Sequence, residues 1–582
     1  MTKKTAQAKQ PGAQVKEVPA APRKDGIRET VESVVIAFVL AFLFRAFEAE
    51  AFVIPTGSMA PTLMGVHKDL TCPECGYDYR IGASEEQDDE AQRLAAMMKN
   101  DPRAANELAG RQQLTAVCPN CRYEMPDATK FPTYKGDRIL VSKFPYDLAS
   151  PDRWDVAVFK YPRCSSENYI KRVVGLPNET LTIYGGNVYT SHGKPDEMVI
   201  ERKPPDKVQA IKQIVYDNDY VVPKLVKAGL PERWQAMQPG GEAWKTSEDF
   251  KSFHHEGAGG ESWLGYQHLV ATPDDWKAFA DSGAFATTAR PVEPRLISDF
   301  YAYNAGRQRK NEDRYDPDYT GLHWVGDLIL ECDLKVESAG PGGYVTLRLI
   351  KGGVPYDCRI DPATGQASLW IGGVDQANQA STGIRAGGSH SVAFANVDCQ
   401  LLLWVDGDVV EFSQPANYNP TQPLIPTVED LTPARIGAQG VSVDASHLRI
   451  LRDVYYIAAI QNTSPLSDMK KLPIPDSYSP NKDFATYLAQ PKSWPTLFSE
   501  MRSISFPLGP DEFLMLGDNS PRSKDGRLWD GWEGDRKEYY VKRDLLVGKA
   551  VFVYWPHSWN RVPGTSIPFP FFPNFARMKL VR

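Results

Sequence analysis

Ile54-Pro-Thr-Gly-Ser-Met-Ala-Pro-Thr-Leu63 is the stretch on which the reading of this chain turns. It places Ser58 after a glycine, in a turn flanked by prolines, a short way beyond the apolar run Val34–Phe44. A serine in such a turn is ordinarily a turn residue and nothing more. A nucleophilic serine needs a base to take its proton. There is no Gly-x-Ser-x-Gly elbow, and none of the nine histidines sits in a motif that links it to Ser58. Lysine can serve as the base when burial lowers its pKa from about 10.4, because desolvation penalises the ammonium form. Lys171 lies in Tyr169-Ile-Lys-Arg-Val-Val-Gly175, with apolar neighbours on both sides. Most lysines are solvated surface groups, so this one gains meaning only in company.

Upstream of Ser58, residues 1–27 are polar and basic, with Lys3, Lys4, Lys9, Lys16, Arg23 and Lys24. They read as a disordered cytoplasmic arm. Val34–Phe44 alone is shorter than the roughly 20 residues a spanning helix needs. Extended over 28–48 it reaches that length, with Glu29, Glu32 and Arg45 near its ends, where charges can reach the headgroups. The basic residues before it predict a cytoplasmic N-terminus. A cleaved secretory signal is the competing reading, with Ala49-Glu-Ala51 as a small-x-small site.

Composition bounds the rest. The chain has 582 residues, enough for roughly three to five domains. Hydrophobic residues make up 42% and charged residues 24%, which excludes a disordered or collagenous chain. The net charge of −7 argues against a general nucleic-acid binder. A mean hydropathy of −0.40 excludes a polytopic membrane protein while allowing one anchor. With 44 Gly and 46 Pro, strands and turns are favoured over long helices. Alternating segments at 137–141, 155–159, 169–174 and 180–183 read as strands, and Tyr184-Gly-Gly-Asn187 as a hairpin turn.

Taken together, four blocks in order resemble the bacterial type I signal peptidases, membrane-anchored Ser–Lys proteases. They are Ile54–Leu63, Gly136-Asp-Arg-Ile-Leu-Val141, Tyr169-Ile-Lys-Arg-Val-Val-Gly-Leu-Pro177 and Gly517-Asp-Asn-Ser-Pro-Arg-Ser-Lys-Asp-Gly-Arg527. Leu546–Pro556 is similar to the family's last core strand. The likeness covers about 28–65, 130–190 and 500–582. It implies a mostly β fold, with an antiparallel catalytic core, one N-terminal transmembrane helix and an inserted β-sandwich. It implies Ser58 as nucleophile and Lys171 as general base, then acid. The Ser58 N–H and the Thr56 hydroxyl would form the oxyanion hole. Ser523 would orient the lysine, and Asp525 and Arg527 would form a structural ion pair supported by Asp518. A solvent-exposed pair of little value is the alternative for Asp525 and Arg527.

The resemblance further implies removal of signal peptides after small residues, in an Ala-x-Ala pattern. The substrates would be translocated preproteins bound extended along a strand edge. The expected surroundings are the lipid bilayer and the export translocon, with no nucleic acid. The protein would be a single-pass protein of the cell membrane, with an extracytoplasmic catalytic domain and no cofactor for catalysis. On this reading the anchor is retained, and Ala49-Glu-Ala51 becomes a site of self-cleavage. Two other classes compete. One is a surface-anchored binding protein on a degenerate protease core. The other is a self-cleaving Ser–Lys regulator, which the anchor disfavours.

The boundaries follow. Core segments are expected at 49–69, 130–199 and 500–582, with a cysteine-rich insert at 70–129. A stretch of unknown fold covers 200–319, a sandwich 320–460 and a linker 461–499. Cys72-Pro-Glu-Cys75 and Cys118-Pro-Asn-Cys121 are separated by 42 residues. Paired knuckles of this kind suit a structural zinc bound by four thiolates, in a zinc-ribbon-like insert with a helical excursion at Ser84–Gln113. Disulfides are the alternative outside the cytoplasm. The 320–460 segment resembles a laminin-G or concanavalin-like sandwich through Val325–Val336 and Leu402-Leu-Trp-Val-Asp-Gly407. Such a module would bind carbohydrate or a protein, or act as a spacer. A Cys332–Cys358 disulfide is expected within it.

Overall fold

Strand alternation around Lys171 builds the sheet that carries the candidate site. The strand Cys164–Gly175 pairs antiparallel with Val156–Tyr161 on one side and with Glu512–Leu516 on the other. Six strands of this sheet run in the order Arg138–Ser142, Leu546–Trp555, Val156–Tyr161, Cys164–Gly175, Glu512–Leu516, Val541–Lys542. Strands from 138–175 are thus interleaved with strands from 512–555, and everything between is accommodated outside the sheet. The segments expected as separate core pieces at 130–199 and 500–582 meet here. Its faces are filled by Ile139, Val141, Val156 and Val158 on one side and by Phe159, Val173, Phe513 and Met515 on the other. Each fully buried side chain of this size contributes roughly 1.5–3 kcal/mol.

The structure is a computed structural model. It describes residues 26–47, 49–84, 114–192, 197–237, 243–257, 259–284, 292–305, 307–308, 321–459, 468–470, 488–529, 531–533, 536–561 and 567–582. Residues 1–25 of the arm expected at 1–27, residues 85–113 of the helical excursion expected at 84–113 and most of the expected linker at 461–499 lie outside these. Residues 1–50 and 51–582 form two units. The first contains the helix Gly26–Phe47, which coincides with the segment expected to anchor the chain. Among the described residues, no helix is long and apolar enough to cross a membrane.

In the second unit a four-stranded sheet joins Thr180–Tyr184, Asn187–Ser191, Val199–Ile200 and Ser503–Pro507. Its first hairpin closes through Gly185 and Gly186, with φ of 56° and 81°, a conformation that suits two glycines. The expected sandwich takes a different form. Leu328–Val336 and Tyr344–Ile350 are not two strands but parts of one, the 24-residue Leu328–Lys351, alongside the 19-residue Ala434–Arg452. Register shifts at Val336/Ser338 and Ala339/Tyr344 bend it where Gly340 and Gly343 face Gly440. Its first half pairs with Ser389–Val397 and its second with Val354–Asp361. One thirteen-stranded sheet results, rather than two separate sheets.

Strands from the stretch without clear period, Gln213–Asp217, Trp234–Ala236, Trp244–Thr246, Phe253–Glu256 and Ser262–Tyr266, join the same sheet. Segments 200–319 and 320–460 therefore share one core, from Trp234 and Tyr266 to Phe394 and Leu403. The expected linker is packed where it is described: Trp494, Leu497 and Phe498 are buried on a short helix. The Cys332–Cys358 disulfide does not form, and both thiols are free. The register explains this. Cys358 lies opposite Leu347, far along the bent strand from Cys332, which itself lies opposite Val392.

Candidate active site

Ser58 sits in a single 3-10 turn, Gly57–Met59, and Lys171 in the middle of the strand Cys164–Gly175. The Lys171 Nζ lies 2.6 Å from the Ser58 Oγ and 3.0 Å from the Ile170 carbonyl. Ser58 is 7% exposed and Lys171 4%. Burial lowers the lysine pKa to about 8; Asp525 and Asp518 oppose that shift, and Arg527 adds to it. An amine with a pKa near neutrality is unprotonated often enough to take a proton from a hydroxyl in contact with it. Period-two geometry puts Lys171 on the strand face opposite Arg172.

Thr56 precedes the turn with an extended backbone, and its hydroxyl makes no capping bond to the turn. It is exposed. Asp525 and Arg527 form a buried bidentate pair, Nε to Oδ1 and Nη2 to Oδ2 at 2.8 Å each. The remaining Arg527 donors reach the Ile457 carbonyl, the Ser520 hydroxyl and the Ser520 carbonyl at 2.8–2.9 Å. Asp525 also accepts the Gly517 N–H at 3.1 Å. The surface-pair reading of Asp525 and Arg527 is thereby set aside.

Two placements differ from expectation. Asp518 does not support the Asp525–Arg527 pair directly. It holds Arg172 in a second buried bidentate pair, at 2.7 Å on both oxygens, and also accepts the Thr62 hydroxyl. The Ser523 hydroxyl, expected on Lys171, is buried with no hydrogen-bond partner among the described residues. It lies close to Gly517, where an added Cβ would fall 2.2 Å from the Ser523 Oγ and 2.5 Å from the Ser58 carbonyl oxygen. Only glycine fits there.

The sequence reading passed over the residues that hold the turn of Ser58. The Asn519 Nδ2 donates to the Gly57 carbonyl at 3.0 Å, and the Asn519 N–H donates to the Ser58 carbonyl at 3.1 Å. Asn519 and Asn304 exchange two amide hydrogen bonds of 2.8 Å. Tyr303, beside Asn304, lies so close to Gly57 that a Cβ there would meet its ring at 2.2 Å. Asn519, Ser520 and Arg172 stood inside blocks already singled out. Asn304 had no signal, because its segment shows neither period nor motif.

Among the described residues, three side-chain groups have the composition of a metal site. In His67, Asp69 and His557, the Arg577 Nη1 donates to the His557 Nδ1 at 2.9 Å, so a cation already faces the ring nitrogens. In Asp327, Asp398 and Asp453, Lys203 lies 2.7–2.8 Å from Asp398 and Asp453, and Lys351 pairs with Asp327. Two ammonium groups thus already occupy the space among three carboxylates, and burial raises the pKa of Asp453 to about 6, with Asp398 adding to the shift. The third group, Cys72, Cys75, Cys118 and Cys121, has four mutually close thiols, all free, so the disulfide alternative is not realised.

Over residues 120–231 and 403–555 the chain matches the family described as signal peptidase, peptidase S26. Lys171, Asp518, Ser523, Asp525 and Arg527 fall inside those stretches, and Ser58 precedes them. The chain is similar to signal peptidase I of Pseudomonas aeruginosa, 42% identical over 72 residues, which are 10% of this chain and 25% of that protein. It is 38% identical over 90 residues to signal peptidase I of Leptolyngbya laminosa, covering 14% of this chain and 44% of that protein. With the probable signal peptidase I-2 of Synechocystis sp. the identity is 30% over 104 residues, 17% and 47% of the two chains. The chain spans between a quarter and a half of the length of these curated relatives. Among solved structures it is similar to carbohydrate binding module CBM66 from Bacillus subtilis, with a TM-score of 0.22 and 9% identity, over 38% of this chain and 94% of that one.

Proposed function

We propose that this protein is a serine endopeptidase of the signal-peptidase type, with Ser58 as nucleophile and Lys171 as general base. The observation that carries the reading is a buried amine in hydrogen-bond contact with a buried serine hydroxyl. The family match over 120–231 and 403–555, which hold Lys171 and the block Gly517–Arg527, supports the same chemistry, as does similarity to signal peptidase I over short stretches.

The reaction would run in two halves. Unprotonated Lys171 takes the Ser58 proton as the hydroxyl oxygen attacks the scissile carbonyl. The Ser58 N–H and the Thr56 hydroxyl would donate to the oxyanion as it forms. The ammonium of Lys171 then protonates the leaving amine, and an acyl-enzyme remains on the Ser58 oxygen. Lys171 next takes a proton from water, whose oxygen attacks the ester, and returns it to Ser58. A preprotein cut after small residues is the substrate that the resemblance implies. The intact buried pair does not suit a degenerate core that serves only as a stand for the inserted sheet.

The segment 28–48 is our candidate anchor in the cell membrane, resting on the apolar run Val34–Phe44 and the basic residues before it. The bilayer and the export translocon are the corresponding proposed partners. A preprotein-processing assay with full-length protein tests the reading. Ser58→Ala and Lys171→Ala should each abolish cleavage while the protein stays folded. Cleavage that persists in either variant rejects the assignment.

A further inference from the structure

The two Cys-x-x-Cys turns are built alike. The Cys72 N–H donates to the Tyr77 carbonyl at 2.9 Å, and the Gly76 N–H returns to the Cys72 carbonyl at 2.9 Å. In the other turn the Cys118 N–H reaches the Tyr123 carbonyl at 3.0 Å, and the Arg122 N–H the Cys118 carbonyl at 3.1 Å. The residue after the second cysteine has positive φ in both, 77° at Gly76 and 62° at Arg122. An arginine there is strained, so the conformation is imposed by the turn rather than chosen by the residue. Each turn caps an antiparallel hairpin: His67–Thr71 with Asp78–Gly82, and Leu114–Val117 with Glu124–Met125.

The hairpin tips face each other, and the four Sγ atoms lie within 4.8 Å of one another. The Cys72–Cys121 and Cys75–Cys118 separations are both 3.5 Å. A disulfide would bring two sulfurs to about 2.05 Å. Four thiolates at about 2.3 Å from a tetrahedral ion stand roughly 3.8 Å apart. The observed spacing fits the second arrangement. Leu70, Tyr79, Leu114, Val117 and Phe300 enclose the cluster in apolar surface. Four soft sulfur ligands select zinc over calcium or magnesium, and they leave no open coordination position for catalysis.

The cluster is connected to the turn that carries Ser58. The Arg122 guanidinium stacks on the Phe300 ring at 3.6 Å. Phe300 leads into the 3-10 turn Ala302–Ala305, which presents Tyr303 to Gly57 and Asn304 to Asn519. The second knuckle is tied to the inserted sheet as well. The Asn120 Oδ1 accepts the Asp217 N–H, and its carbonyl accepts the Arg233 Nη1, both at 2.8 Å.

We propose that Cys72, Cys75, Cys118 and Cys121 hold one zinc ion as four thiolates, and that the ion fixes the platform seating Phe300–Ala305 behind Ser58. Each ligand gives its thiol proton to solvent on binding. The zinc site stands apart from the peptidase reading; the positioning role rests on that reading.

The test uses the full chain purified without chelator. Metal analysis should give one zinc per chain in both wild type and Ser58→Ala, so that loss of catalysis and loss of metal are separable. Cobalt substitution should produce thiolate-to-metal charge-transfer absorption, and Cys75→Ser, at the most accessible ligand, should lose it. Chelation should speed amide exchange over residues 300–305. Chain purified free of zinc, cobalt binding without thiolate bands, or a Cys72–Cys121 or Cys75–Cys118 disulfide by mass analysis overturns the site. Unchanged exchange at 300–305 after zinc removal overturns the positioning role.

Discussion

Asn304 and Asn519, 215 positions apart, exchange two side-chain hydrogen bonds of 2.8 Å behind the turn that carries Ser58. One belongs to the inserted segments and the other to the core block Gly517–Arg527. Asn519 in turn grips the carbonyls of Gly57 and Ser58. The insert is therefore part of the scaffold of the site.

Asn304→Ala should lower kcat/KM about tenfold. It leaves one Asn519 donor and one acceptor unpaired in a buried place, a cost of about 1–3 kcal/mol. A double-mutant cycle with Asn519→Ala should be strongly non-additive, since the two residues act as one unit. Additive effects in the measured rates would count against the coupling.

Lys171→Met should separate stability from activity. The folded protein holds this lysine at a pKa of about 8, against 10.5 for the free side chain. Below pH 8 both folded and unfolded states keep the proton, and the folded state carries a desolvation cost of roughly 3 kcal/mol. Methionine removes that charge at similar volume. Tm at pH 7 should rise while cleavage falls at least ~10³-fold. A lower Tm in thermal unfolding would contradict a desolvated amine.

The pH dependence follows with its sign. Cleavage should increase with pH, reach half its maximum near the Lys171 pKa of about 8 and level off above it. Between pH 8 and 10.5 the folded state releases the proton first, so the unfolded state binds more protons and this lysine's contribution to stability grows with pH. A rate profile still climbing at pH 10 would place the lysine in water.

Ser523→Ala should leave Tm unchanged or raise it. The hydroxyl is buried without a partner among the described residues, so its removal breaks none of their hydrogen bonds and relieves a desolvated group. A Tm loss of several degrees would show that the hydroxyl is bonded in solution.

Asp518→Ala should destabilise the fold by about 3–5 kcal/mol, because it strands the fully buried Arg172 guanidinium. Asp518→Ala combined with Arg172→Met should recover much of that loss in denaturant titration. No recovery would mean that the ion pair is not the cause.

Much of the core was legible because its signals are local. The segments read as strands at 155–159 and 180–183 lie within a residue or two of the observed Val156–Tyr161 and Thr180–Tyr184, and the paired glycines at 185–186 encode the turn after the second. The inserted sheet was read less well. The bend at 337–343 looked like a loop between two strands, whereas the chain crosses it as one strand with shifted register. The strands in 213–266 were missed because each is only three to five residues long, too short for a period to stand out: Trp244–Thr246 buries its tryptophan alone.

By itself the sequence determined the chemical inventory: a serine in a Gly-containing turn, a lysine in an apolar strand, two Cys-x-x-Cys knuckles and a block rich in Asp and Arg. Tertiary structure alone decided that Ser58 and Lys171 touch, that Asp518 serves Arg172, and that Asn304 belongs to the site. The reason is one of range. Propensity and turn chemistry act over a few residues, while desolvation and partner choice depend on which strands, hundreds of positions apart, come into register.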